Sequence, residues 1–165
     1  MAYNNYYGNN SYGGNRGGYG NNRQNNGGRN FNQAPLTVPE EKYLDPKSDY
    51  VGLAEKTLSA LYENRNDRIT TSKLRNILSM ATDVYNIETR RTDAELLDSS
   101  KRSLQLMRIR LLYECGREKT VKKFVETTGL ISYLKGIKTR EDFIAYSHYL
   151  EALVAYHRYF GGGEN

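Results

Sequence analysis

Few residues of this 165-residue chain have side chains that could perform nucleophilic or metal chemistry. Nucleophilic catalysis would need the single cysteine, Cys115, or a serine beside a histidine and a carboxylate. The only histidines, His148 and His157, are predicted on opposite sides of one helix, His157 on its buried side and His148 at the surface, so they do not face one site. One cysteine and two histidines are too few ligands for a zinc site of the Cys/His type. The sequence therefore predicts no catalytic residue, no metal and no cofactor.

Basic residues on predicted helices are better suited to a binding function. Ser72, Arg75, Asn76 and Ser79 recur at helical spacing beside an apolar face, and small hydroxyl and amide groups next to an arginine suit phosphate contacts. The same pattern is typical of an ordinary solvated helix face. Arg108 is predicted among leucines, where a guanidinium must be paired, reach solvent or lie at a subunit boundary.

More basic residues cluster after Gly116, where a helix is predicted to end. Arg117, Lys119, Lys122 and Lys123 could bind phosphate there, but cations at the C-terminal end of a helix also complement its dipole. A further cation, Arg158, lies on the last predicted helix, where it could belong to an ion-pair ladder instead. Residue chemistry alone leaves RNA binding and protein interaction open.

These side chains must be positioned by helices, because the stretch after Pro46 contains no proline and is rich in helix-forming residues. Apolar spacing and capping residues predict five helices. The first helix is expected at about 49–63, and the second is expected to begin at 70–72. The third should run from a capping box at 92–95 to Gly116. The fourth is expected at about 118–135 with an interruption at Gly129, and the fifth from Thr139 to Phe160. The third helix is apolar around most of its circumference, so it is expected to be the central, enclosed one. The fold class predicted for the body is all-α, a compact bundle of about five helices.

The first 33 residues have a different composition from the rest. They contain 11 Asn, 8 Gly and 5 Tyr, with no acidic residue and no Leu, Ile or Val, so they are predicted to be a disordered tail. Residues 34–47 are expected to be a linker and 48–162 the helical domain. The net charge of +5 is compatible with a nucleic-acid partner but does not establish one. No apolar run predicts a membrane span or a signal peptide, and the single cysteine suits a reducing cytoplasm.

Three segments resemble the small subunit of the type III-A CRISPR Csm effector complex. Residues 70–78, TTSKLRNIL, resemble the opening of that family's second helix. Residues 113–118, YECGRE, are similar to its tyrosine to Gly-Arg-Glu turn, and residues 151–161 to its C-terminal helix and terminating glycine. The segments come in the family's order and at its spacing, and the resemblance covers about residues 48–162. The tail departs from the family pattern, so nothing about its role is implied.

The resemblance implies a non-catalytic bundle that stacks in several copies along a CRISPR ribonucleoprotein. The implied partners are the guide RNA (crRNA) and target RNA, the backbone and large Csm subunits, and neighbouring copies of the chain. No membrane is implied as a partner. A subunit that accepts any target sequence should contact phosphates and sugars and leave sequence recognition to base pairing. The RNA-facing cations predicted on this basis are Lys73, Arg75, Arg108, Arg117, Lys119, Lys122, Lys123 and Arg158.

The sequence leaves two alternative functions open, a protein-interaction adaptor and a nuclease. The chain could be a helical protein-interaction adaptor with a condensation-prone tail and no RNA role. Salt dependence separates the two, because RNA affinity should fall steeply with ionic strength whereas an apolar helix contact should change little. A nuclease would require metal-dependent cleavage by the isolated chain, and none is expected.

Overall fold

The computed structural model describes residues 37–162, and all regular structure in that range is helical. The elements are α1 (Tyr50–Tyr62), α2 (Thr71–Glu88), α3 (Asp98–Arg117), α4 (Lys119–Thr128), α5 (Leu130–Gly136) and α6 (Arg140–Tyr159), with a 3₁₀ turn at Arg65–Asp67. The predicted all-α class is confirmed, although the described residues form six helices and not about five. None of these helices is long and apolar enough to cross a membrane. The predicted disordered tail lies outside the described residues.

Gly129 accounts for the additional helix. Its φ of +69° lies in the left-handed region, so the α4 helix ends there and α5 begins with the next residue. The sequence places an interruption at this glycine but treats the two segments as one helix. Because Gly129 leaves the right-handed helical region, it ends one helix and precedes the next, so α4 and α5 are separate elements.

The central helix is α6, and the expectation that the third helix is enclosed is wrong. Nine residues of α6 are buried, since it packs against α1, α2 and α5, whereas only four residues of α3 are buried. The α3 helix packs on α2, α4 and α5 with one side only. Its second set of apolar residues is not buried, since Leu106, Ile109, Leu112 and Tyr113 are all exposed. Apolar residues all round a helix predict burial only if neighbouring helices cover every side.

Both histidines of α6 join α1 to α2 through hydroxyl groups. His157 is completely buried, with Nδ1 2.5 Å from the Tyr62 hydroxyl and Nε2 3.2 Å from the Thr71 hydroxyl. Its predicted place on the buried side of the last helix is therefore confirmed. Half-buried His148, expected at the surface, instead lies 3.1 Å from the Tyr85 hydroxyl and 3.4 Å from that of Tyr50.

Three of the predicted helix ends differ from the structure. The α3 helix begins at Asp98 and not within 92–95, because the buried carboxylate of Glu88 accepts hydrogen bonds from the Leu97 backbone and the Arg91 guanidinium and holds the preceding loop. Gly116 lies inside α3, which continues to Arg117. The sequence predicts Ser48 as the N-cap of α1, but the N-cap in the structure is the next residue, Asp49.

Residues 37–47, assigned to the linker from the sequence, contact α5. The Lys42 amide donates to the Ser132 carbonyl over 3.0 Å, and the Lys135 ammonium donates to the Pro39 carbonyl over 2.7 Å. Leu44 is buried in the core. The chain crosses so close to Gly136 that a Cβ there would overlap the Lys42 carbonyl.

Candidate nucleic-acid interface

A groove between α2 and the C-terminal half of α3 brings basic and polar side chains together. Its volume is about 640 Å³. Its polar lining residues come from α2, α3 and the start of α4, and they are Lys73, Asn76, Ser79, Arg110, Tyr113, Glu114, Arg117 and Glu118. Three apolar residues, Ile77, Met80 and Val121, complete the lining.

Helical spacing explains why these side chains share the groove. On α2, positions 73, 76 and 80 recur every three or four residues beside buried Leu74 and Ile77. On α3, positions 110, 113, 114 and 117 recur in the same way, on the side that faces α2. The buried residues Met107 and Leu111 anchor α3, so its groove-facing side is fixed by the core.

An ion pair crosses the groove between α2 and the start of α4. The Lys73 ammonium pairs with the Glu118 carboxylate, which also accepts a hydrogen bond from the Thr120 hydroxyl over 2.8 Å. The hydrogen bond from Lys73, followed by that from Thr120, lowers the pKa of Glu118. This carboxylate is therefore ionised at neutral pH and holds the lysine.

The two arginines of the groove are in different situations. Arg117 pairs with Glu114 over 3.3 Å, and its guanidinium lies over the exposed ring of Tyr113, 5.6 Å from the ring centroid. Arg110 forms no ion pair within residues 37–162. Three cations thus face two carboxylates, so the groove carries a small positive excess and one guanidinium available for an anion.

The structure brings two of the predicted RNA-facing cations, Lys73 and Arg117, to this groove. Arg75 lies near it on the exposed side of α2, in the same stripe as Ser72, Asn76 and Ser79. All four residues of that stripe are exposed, and two of them line the groove. A continuous polar surface therefore runs from the beginning of α2 into the groove.

The three predicted lysines of α4 lie outside the groove. Lys119, Lys122 and Lys123 are exposed on the outer side of α4, opposite buried Val121 and Phe124. Lys122 is 3.7 Å from Glu126 and Lys123 is 3.2 Å from Asp67, whereas Lys119 has no ion-pair partner among the described residues.

The remaining two predicted cations occupy separate surfaces. Arg108 is exposed on the opposite side of α3, where it lines a recess between α3 and α5. Arg158 is exposed near the C-terminal end of α6. The structure therefore does not gather the eight predicted cations into one patch.

Sequence reasoning missed Arg110 and Tyr113 as members of the groove. The signal was present, because positions 110, 113 and 117 are spaced by three, four and seven residues and must share one side of a helix. This spacing is hard to recognise because an enclosed third helix, as predicted, would place its apolar and aromatic residues in the core.

Cys115 and the two histidines do not line the groove. Half-buried Cys115 has a pKa raised to about 11, chiefly by burial, so its thiol is protonated at neutral pH. Burial, with the nearby Arg158 and Arg68 charges, lowers the pKa of His157, which is neutral in the core. Residues 37–162 contain no group of three or more His, Cys, Asp or Glu side chains that could hold a metal.

Comparison with known proteins gives consistent matches. The profile of a family described as Csm2 Type III-A matches residues 46–163. A "CRISPR system Cms protein Csm2" of Streptococcus thermophilus is 34% identical over 116 residues, which cover 69% of this chain and 93% of that protein. A protein of the same description from Mycobacterium tuberculosis (strain CDC 1551 / Oshkosh) is 32% identical over 114 residues, 68% of this chain and 92% of the relative. An Enterococcus italicus protein so described is 34% identical over 99 residues, 58% and 71% of the two chains.

Proposed function

This chain belongs to the Csm2 Type III-A family, the small subunits of the Csm complex, and from that premise we propose that it is a non-catalytic, RNA-binding and scaffolding subunit. Several copies would line the channel that holds the crRNA and the target RNA, next to the backbone and large subunits. The α2/α3 groove is the part of each copy proposed to contact RNA.

The observation that carries this proposal is the chemistry of the groove lining. Lys73, Arg110 and Arg117 offer charge to phosphate, while Asn76 and Ser79 offer short hydrogen-bonding groups that let a backbone approach closely. The exposed Tyr113 ring can stack against an unpaired base or a ribose. Stacking and phosphate contacts do not depend on sequence, as a subunit that serves any target requires.

The carboxylates of the groove keep the proposed affinity of one copy modest. A phosphate that binds Lys73 must displace Glu118, and one that binds Arg117 must displace Glu114. The loss of these ion pairs offsets part of the attraction between the cation and the phosphate. Strong binding would then need several copies on one RNA, because linked weak contacts multiply. Arg75 and the exposed lysines Lys119, Lys122 and Lys123 are proposed to extend the RNA path beyond the groove, and Arg158 to contact RNA at a separate point.

A charge reversal in the groove tests this function. We expect Arg110→Glu with Arg117→Glu to weaken binding of the full chain to a single-stranded RNA of mixed sequence by at least tenfold, measured by fluorescence anisotropy at fixed salt. The matched control is Arg65→Glu with Arg90→Glu, two exposed arginines that do not line the groove, so that both variants change the net charge equally. Circular dichroism and thermal unfolding establish that each variant is folded.

The adaptor hypothesis predicts a different result from the same titrations. If the folded groove variant binds RNA as well as the control does, the groove is not the RNA site. If the unaltered chain shows no RNA binding at any salt concentration, the RNA-binding function itself fails and the adaptor reading is favoured.

A further inference from the structure

A recess between α3 and α5 differs from the α2/α3 groove in its charge. Its volume is about 320 Å³, and none of the residues that line it is acidic. Its basic lining residues come from α3, from α5 and from the segment after α5, and they are Lys101, Arg108, Lys135 and Lys138. The groove, in contrast, is lined by three cations and two carboxylates. The α3/α5 recess is therefore the more positive of the two surfaces.

Two cations of the recess form no ion pair within residues 37–162. Arg108 is exposed on α3. Lys135 is half-buried, and its ammonium donates a hydrogen bond to the Pro39 carbonyl over 2.7 Å. That bond holds the ammonium in place but brings no opposite charge to it. Because a partly buried charge is stabilised by a counter-charge, an anionic group that enters the recess would gain from both cations.

The other two cations of the recess have carboxylate partners at the surface. Lys101 lies 3.4 Å from Asp98, and Lys138 lies 2.9 Å from Glu41. All four of these side chains are exposed, and exposed ion pairs contribute little to stability. These carboxylates therefore hinder an incoming anion only weakly.

The floor of the recess is aliphatic. It consists of three buried leucines and one half-buried isoleucine, which are Leu96, Leu104, Leu134 and Ile137. No aromatic side chain lines the recess, so a nucleic-acid base would find no ring on which to stack. An aliphatic floor bordered by cations instead suits a ligand that carries apolar side chains together with carboxylates.

The length of the recess fits a short peptide. Lys101, Gln105 and Arg108 recur at helical spacing along one side of α3 and span roughly 10 Å of helix. An extended polypeptide covers that distance with about three to four residues. The side-chain amide of Gln105 can both donate and accept a hydrogen bond, as recognition of a peptide backbone requires.

We propose that the α3/α5 recess binds a short acidic segment of a partner protein, whose apolar side chains cover the aliphatic floor while its carboxylates pair with Arg108 and Lys135. This inference goes beyond the proposed RNA-binding function and does not depend on it, because the recess and the groove share no residue. Arg108, which the family resemblance predicts to face RNA, is then a protein contact.

A labelled peptide tests this site on the full chain. The probe is a short fluorescein-labelled peptide in which Glu and Leu alternate, and its binding is measured by fluorescence anisotropy. We expect Arg108→Glu with Lys138→Glu to weaken binding at least tenfold, because two cations of the recess become carboxylates. The matched control, Arg65→Glu with Arg90→Glu, changes the net charge equally at exposed arginines outside the recess and should bind the peptide as the unaltered chain does.

Circular dichroism establishes that the recess variant is folded. If it is not, Arg108→Gln with Lys138→Gln replaces it, since this variant removes both charges without introducing new ones. We expect the neutral variant to bind the peptide about threefold more weakly than the unaltered chain. Unchanged binding to either folded variant would place the peptide at another surface and overturn the proposal.

Two altered peptides test the chemistry of the ligand. A peptide with Gln in place of Glu should bind at least tenfold more weakly, because it has no carboxylate. A peptide with Ser in place of Leu should lose affinity to a similar extent, because it leaves the floor uncovered. Equal binding of the Gln peptide would indicate a general apolar surface, and equal binding of the Ser peptide a simple anion site. Either result, or no binding of the original peptide, would overturn the proposal.

RNA titrations of the same proteins distinguish a protein site from an RNA site. Arg108→Glu with Lys138→Glu should keep the RNA affinity of the control, and Arg110→Glu with Arg117→Glu should lose RNA affinity but keep the peptide. A recess variant that loses RNA affinity and keeps the peptide would assign the recess to RNA and overturn the proposal. If the peptide results are as expected while no protein binds RNA, the recess proposal stands and the RNA-binding function fails.

Discussion

At the scale of single residues, the cations of the α2/α3 groove differ in the carboxylate that each one already contacts. Lys73 is held by Glu118 and Arg117 by Glu114, whereas Arg110 has no such neighbour within the described residues. A phosphate competes for the first two and meets the third without competition. Removing a competing carboxylate should therefore strengthen RNA binding.

Glu118→Gln tests that competition. We expect RNA affinity to rise by about twofold to fivefold at low salt, since a partly exposed ion pair is worth up to about 1 kcal/mol. Anisotropy titrations measure the change, with Glu41→Gln as control because that carboxylate pairs with Lys138, which is not among the proposed RNA contacts. An affinity that falls or stays constant would mean that the RNA does not compete for Lys73.

His157 gives a prediction about pH. Burial and the neighbouring Arg158 and Arg68 charges lower the pKa of its imidazole from its ordinary value of 6.5. The unfolded chain therefore takes up a proton at a higher pH than the folded chain does. The free energy of unfolding should be highest above pH 6.5 and fall as the pH decreases towards the folded-state pKa.

Urea unfolding at pH 7.5 and pH 5.5 checks this prediction. His157→Gln should be less stable at both values, because it disturbs the bonds to Tyr62 and Thr71, but it should lose less stability between them. Equal losses in the two proteins would show that other groups cause the pH dependence.

At the scale of helices, two glycines with opposite roles allow a matched comparison. Gly129 has φ +69° and the Tyr133 ring 3.1 Å from the position of a Cβ, whereas Gly116 lies in the last turn of α3 with open space around it. Gly129→Ala should destabilise the protein by about 1–2 kcal/mol, because an L-residue pays for the left-handed backbone. Gly116→Ala should be neutral or stabilise by up to about 1 kcal/mol, because alanine is the better helix former.

Thermal unfolding of the two alanine variants measures both effects. A destabilised Gly116→Ala protein would contradict the continuous α3 helix and favour the helix end that the sequence predicts at this glycine. Gly129→Asn provides a further check, because asparagine tolerates the left-handed region better than alanine and should be less destabilising.

How much could be predicted from the sequence differs between elements. The start of α6 after Thr139, the all-α class and the interruption at Gly129 follow from local residue types, and the structure adds the capping box at Thr139 and the left-handed conformation of Gly129. The exposure of α3 and the membership of Arg110 in the groove depend on which sides of a helix its neighbours cover. That information lies in the packing of six helices and is absent from the periodicity of one.

At the scale of the whole molecule, the charge is spread thinly. Residues 34–165 have a net charge of only +2, and the groove contains three cations and two carboxylates. In a plot of log affinity against log salt, the three groove cations should contribute about −2 to the slope, as expected for about three phosphate contacts on a single strand. Removing Arg110 should make the slope shallower by about 0.7.

These slopes are measured by titrations at several salt concentrations between about 50 and 300 mM. A slope near zero for the unaltered chain would point to apolar contacts in place of phosphate contacts. A slope that does not respond to Arg110→Ala would place the counterion release at another surface, such as the lysines of α4.

The state of Cys115 makes the native chain convenient for site-specific labelling. Because burial raises the pKa of Cys115 to about 11, its thiol is much less ionised at pH 7 than that of an ordinary exposed cysteine. A maleimide dye should therefore react with a cysteine introduced at exposed Ser72 or Ser79 long before it reacts with the native thiol. A fluorophore at the edge of the groove can thus report the arrival of RNA without any alteration of the core.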